Sequence, residues 1–203
     1  SVHGTSQQEE INLEKKPRPR AWIPHIIFEG AYSVSPNLLA MVLLDPPTYG
    51  AFSVVYLVHV LAASFHLSVI SEAWARSNRS VRQNPIDASA GFTLAIWTAI
   101  PFSLLASILG FILFADIIIT LLFFIAIGSQ LLRSVQRYRV VAKRELNTVR
   151  RMDISGLIAV LIGSVVVVIF QQQTNLKTIL LLWTLANVGS LCWVLNRIIT
   201  LKR

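Results

Sequence analysis

The sequence predicts an all-α, polytopic transmembrane helix bundle, and three observations predict it. Hydrophobic residues make up 54% of the 203 residues, and the mean hydropathy is +0.62. They gather into runs close to the roughly 20 residues that cross a bilayer core. Charged residues are 14% of the chain, where a soluble domain carries about 25%. The basic residues collect in every second loop, the positive-inside pattern of a threaded membrane chain. Lys15, Lys16, Arg18 and Arg20 precede the first run, and Arg76, Arg79 and Arg82 follow the second. Arg133, Arg137, Arg139, Lys143, Arg144, Arg150 and Arg151 follow the fourth, and Arg197, Lys202 and Arg203 close the chain. Of the 18 Lys and Arg residues, only Lys177 breaks the alternation.

Residues 1–20 are polar, charged and broken by proline, with too little apolar surface to fold alone. They read as an extended arm or a segment that orders on a partner. They hold no signal-peptide core, and the start at Ser1 reads as a processed end. Residues 21–203 form one transmembrane domain. A first crossing near 21–44 is opposed by Glu29, Pro24 and Pro36, because an acid in mid-membrane is expensive. The charge pattern favours it, since otherwise the four basic residues before it lie on the wrong side. An interfacial helix is the alternative. Asp45 to Gly50 follows as a turn with several breakers.

Residues 51–71 are the next crossing. A polar loop then ends in Asn84-Pro85-Ile86-Asp87, a helix-start signature. Residues 91–133 would make about 65 Å of helix, twice a bilayer core. They therefore divide into crossings near 91–109 and 115–133, with Gly110 and Asp116 bracketing the turn and Asp116 as N-cap. An amphipathic basic extension over 134–152 continues this helix past the membrane. Its apolar stripe is Leu131, Val135, Tyr138, Ala142, Leu146 and Val149, and its basic residues lie on the opposite faces. Crossings near 155–170 and 178–199 complete five spans plus the N-terminal one.

The net charge of +8 does not indicate nucleic acid, because the basic residues flank spans and are not interleaved with exposed aromatics. Anionic lipids are the expected partner, at about 1 kcal/mol per basic residue near the surface. The seven residues from Arg133 to Arg151 are the candidate lipid- or partner-binding set. Other membrane subunits are expected on faces of small residues, which let helix backbones approach closely. These faces are Gly91, Ala95, Ala99, Ser103 and Ser107; then Ser155, Ala159 and Gly163; then Ala186 and Ser190.

His59 and His66 are the candidate cofactor-binding residues, for haem, a pigment or a quinone. Seven apart, they face the same way, so they cannot bracket one iron. Their spacing is similar to that in the haem-carrying anchor subunits of succinate dehydrogenases. The resemblance covers one helix, and Phe65 stands where that family carries an arginine. Polar packing or a hydrogen bond to a neighbouring helix is the simpler role. Cys192 reads as a small packing residue. Asn78-Arg79-Ser80 matches a glycosylation sequon in a loop expected to stay unmodified. No nucleophile–base pair, metal spacing or phosphate loop is legible, so no catalytic residue, metal or required cofactor is assigned. The expected function is a non-catalytic subunit of a larger membrane complex in an energy-converting organelle, such as the mitochondrial inner membrane. The C-terminus is expected on the matrix, stromal or cytoplasmic side. A small carrier or channel is the alternative, and a cofactor-binding anchor the third.

Overall fold

The computed structural model describes residues 23–71, 85–142, 146–170 and 175–200. Among these residues it contains six α-helices and no strand. They are α1 (Ile23–Leu43), α2 (Pro46–His66), α3 (Pro85–Phe114), α4 (Ile117–Ala142), α5 (Leu146–Phe170) and α6 (Leu176–Thr200), and one π-helical turn, Leu67–Ser71, prolongs α2. Three stretches are long and apolar enough to cross a membrane: Pro46–Val69, Thr93–Phe114 and Ile117–Val141. Shorter apolar stretches lie in α1, over Ile27–Leu43, and in α6, over Leu176–Cys192. The chain is thus a helical membrane protein. The polar arm at 1–20 and the sequon lie outside the described residues.

Local chemistry sets the helix ends. The Asp45 carboxylate accepts the Thr48 N–H at 3.2 Å. Pro46 and Pro47 occupy the first turn of α2, where a missing N–H costs nothing. The expected turn over Asp45 to Gly50 therefore shrinks to Leu44 and Asp45. Between α3 and α4 the chain reverses through Ala115, whose φ of 48° is left-handed. Asp116 then caps α4 as its sequence context predicts. Its Oδ1 accepts the N–H groups of Ile118 at 2.8 Å and Ile119 at 3.2 Å.

Helix α4 is the centre of the bundle and packs against α3, α6, α5 and α2. Leu122, Phe123, Ala126, Ile127 and Leu131 carry its core contacts. Ala95, Ala99, Ser103 and Ser107 on α3 are buried, as the small-residue spacing implies. Gly110 lies against the Phe123 ring, which a Cβ would meet at 2.8 Å. Ala186 and Ser190 on α6 are buried too. On α5 the expectation holds only at Gly163, where Leu182 of α6 leaves no room for a side chain. Ser155 and Ala159 are exposed, and the inward face is Met152, Gly156, Val160 and Val167. Gly156 sits against Tyr32 of α1 and Ser190 of α6, with no room for a side chain.

The expected extension over 134–152 is also corrected. It is not one helix leaving the membrane. Arg137 and Asp153 touch at 3.0 Å, whereas sixteen residues of straight helix would separate them by about 24 Å. Val140, Val149 and Met152 form a small core of their own. The end of α4 and the start of α5 therefore fold back on each other.

Candidate functional site

The most polar part of the interior is a cluster of four charged side chains from three helices. Arg133 Nη2 donates to Asp153 Oδ1 at 2.9 Å, and Arg133 Nη1 donates to Glu29 Oε2 at 3.3 Å. Arg137 grips Asp153 with two nitrogens, Nε to Oδ1 at 3.0 Å and Nη2 to Oδ2 at 3.0 Å. Arg137 Nε also lies 2.9 Å from Glu29 Oε2. The side chains of Arg133 and Asp153 are both 0% exposed. Two guanidinium groups thus face two carboxylates. A lone charge here would carry a desolvation penalty of several kcal/mol, and forked, shared hydrogen bonds offset it.

The cluster continues into neutral groups. The Arg133 guanidinium lies over the Tyr32 ring, 3.7 Å from its centroid. Tyr32 Oη donates to Asn187 Oδ1, and Asn187 Nδ2 donates to the Ala126 carbonyl at 3.3 Å. Arg133 lies about 24 Å along α4 from its start, within the apolar stretch Ile117–Val141. Gln130 and Gln136 flank it on α4, each with a buried carbonyl oxygen that no described residue bonds.

These positions correct the sequence expectation for the basic set. Arg133 and Arg137 do not belong to an outer basic face; they point into the bundle, where α4 meets Glu29 of α1 and Asp153 of α5. Arg139 is half-buried, and Arg150 and Arg151 are exposed. Lys143 and Arg144 lie outside the described residues. Glu29, which the sequence offers only as a cost to a first crossing, is the carboxylate that ties α1 to α4. Asp153 and Tyr32 went unnoticed in the sequence. The available signal was two acids, Glu29 and Asp153, bordering apolar runs, and two arginines one helical turn apart.

His59 and His66 are both buried on one face of α2, at 4% and 1% exposure. The His59 ring meets the edge of Trp183 at 5.2 Å and Tyr56 at 5.4 Å. His66 Nε2 lies 2.9 Å from Thr98 Oγ1 on α3. The Thr98 hydroxyl also lies within hydrogen-bond distance of the Leu94 and Ala95 carbonyls, at 2.8 and 3.2 Å. The direction of the His66–Thr98 hydrogen bond follows the tautomer of His66. The Nδ1 atoms of both histidines are buried without a hydrogen-bond partner among the described residues. No group of three or more His, Cys, Asp or Glu among those residues is arranged to hold a metal. Cys192 is exposed on α6, contrary to the packing role its sequence setting implies.

At the other end of the bundle, Lys177 Nζ pairs with Asp116 Oδ2 at 2.6 Å. The one basic residue outside the alternation thus answers the acid that caps α4. The hydrogen bond from Lys177, helped by the capped N–H groups, holds the Asp116 carboxyl below its ordinary range.

Six helices with apolar flanks and a charge-balanced interior define a helical membrane protein. Comparison with protein-family models, with curated proteins and with solved structures finds no match.

Proposed function

We propose that this chain is a non-catalytic integral subunit of a larger membrane complex. It threads the bilayer six times, with both ends on the basic side, and an organelle inner membrane such as the mitochondrial one is its setting. The observation that carries the reading is the charge balance of the interior. Glu29 and Asp153 are matched against Arg133 and Arg137 within the chain. A matched, hydrogen-bonded set fixes helix positions and leaves no net charge to attract a translocated ion. The count of six crossings rests on alternating helix direction: Asp116 and Lys177 meet at one end, and the Arg133 cluster lies towards the other. The polar arm at 1–20 supplies a contact point for other subunits.

Purification in mild detergent and reconstitution into liposomes test the proposal together. The chain is expected to migrate with other membrane proteins, and alone to pass neither protons nor small solutes. A monodisperse chain that transports a solute in liposomes would overturn it. The cofactor-anchor reading keeps one supporting observation, the unpartnered Nδ1 atoms of His59 and His66. An absorption spectrum of the purified protein decides it: a Soret, chlorin or quinone band sustains it, and a featureless spectrum ends it.

A further inference from the structure

Arg150 and Arg151 differ from the other described arginines between Arg133 and Arg151. Arg133 and Arg137 are answered inside the chain. Arg150 and Arg151 are exposed and make no ion pair among the described residues. They sit in the second turn of α5, about one turn before the buried Asp153. Their neighbours Thr148, Val149, Met152 and Asp153 face inward, so the two arginines take the outer side of the helix. Arg151 heads a stripe that runs through Ser155, Ile158, Ile162 and Ile169, all exposed. From Arg151 to Ile169 the helix rises about 27 Å, close to one hydrocarbon core. The guanidinium groups thus fall at one membrane boundary, directly above an apolar helix face.

We infer that Arg150 and Arg151 form a headgroup site for an anionic phospholipid of the leaflet on the basic side. The phosphodiester accepts hydrogen bonds from the two forks, and an acyl chain lies along Ile158, Ile162 and Val165. Guanidinium forks match the paired oxygens of a phosphate, and their long stems reach from the helix to the headgroup layer. The preference for an anionic lipid over a zwitterionic one follows from charge. The choline of a zwitterionic headgroup would bring a third cation beside two uncompensated ones. The inference rests on the chain being membrane-embedded, as proposed above.

The test uses the full chain in phosphatidylcholine vesicles containing trace spin-labelled phosphatidylglycerol or, separately, spin-labelled phosphatidylcholine. The motionally restricted fraction of the spectrum reports lipid held at the protein surface. The wild type is expected to hold phosphatidylglycerol in preference to phosphatidylcholine, and added salt is expected to weaken that preference. Each arginine is worth about fivefold in relative association. The double variant Arg150→Gln/Arg151→Gln is expected to lose most of the preference. The double lysine variant keeps the charge and is expected to retain part of it. Equal restriction of the two lipids by the wild type, or an undiminished preference in the glutamine variant, would overturn the site. No restricted component with either lipid would instead show that the chain is not embedded.

Discussion

At Arg133 the guanidinium is fully buried, so its charge has to be answered from within the chain. Asp153, Glu29 and the Tyr32 ring do so from three sides. Substituting Arg133→Gln strands two carboxylates with a single arginine. We expect a loss of about 3–5 kcal/mol, as for other broken buried pairs, read from denaturant unfolding in detergent micelles. Gly156 is a second sensitive position. A side chain there collides with the ring that Arg133 stacks on, so Gly156→Val should cost about 1–3 kcal/mol in the same measurement. Ala115 gives the opposite sign. Its left-handed φ of 48° strains a residue with a Cβ. Ala115→Gly should therefore stabilise the protein by about 1 kcal/mol. None of these positions could be weighted from the sequence. An alanine in an apolar run and a glycine among leucines carry no mark of what they touch.

Helix α1 is the element that depends most on its partners. Its apolar stretch is short, and Glu29 sits within it. An unpaired acid in a spanning helix costs roughly 2.5–3.5 kcal/mol, so α1 needs Arg133 and Arg137 in place to hold a crossing. In the variant Arg133→Gln/Arg137→Gln, an N-terminal tag should become partly cleavable by protease from the side opposite the basic loops. Full protection would show that α1 crosses unaided. The link between α4 and α6 is ionic as well, at Asp116 and Lys177. The folded Asp116 carboxyl is held below its ordinary value of 3.8. Its contribution is therefore present above that pH and disappears as the pH falls further. Thermal unfolding in detergent should show a stability loss below about pH 4, and Asp116→Asn should flatten that part of the profile.

Helix existence and approximate bounds were legible because apolar runs and breakers set them, and all six expected helices form. The capping role of Asp116 was legible for the same local reason. What was not legible depends on tertiary cover. The basic stretch from Arg133 onward has helical periodicity with an apolar stripe, and such a pattern in isolation means a solvated face. Its first two arginines, Arg133 and Arg137, are buried here because α1 and α5 bring Glu29 and Asp153 against α4. The small-residue ladder on α5 was displaced by one residue for a related reason. Ser155, Ala159 and Gly163 repeat every four residues, but only Gly163 meets a neighbour, Leu182, and the approach of Tyr32 and Ser190 selects Gly156 over Ser155. Repetition finds a face; only the neighbour decides whether it faces inward.

At the scale of the whole molecule, the two ends of the bundle are chemically distinct. One end carries Asp45, Asp116 and Lys177, and the other carries the charge cluster with Arg150 and Arg151. A six-span chain places the loops after α1, α3 and α5 on one side of the membrane and those after α2 and α4 on the other. The most direct measurement is labelling of single cysteines by a membrane-impermeant maleimide, in a background with Cys192 replaced by Ser. Pro47→Cys and Gln173→Cys should be labelled from one side only, and Arg144→Cys from the other only. Arg20→Cys, which precedes α1, should be labelled from the same side as Arg144→Cys, and its labelling from the Pro47 side would contradict the crossing of α1. The role assigned to the Glu29–Arg133 pair would then fall with it.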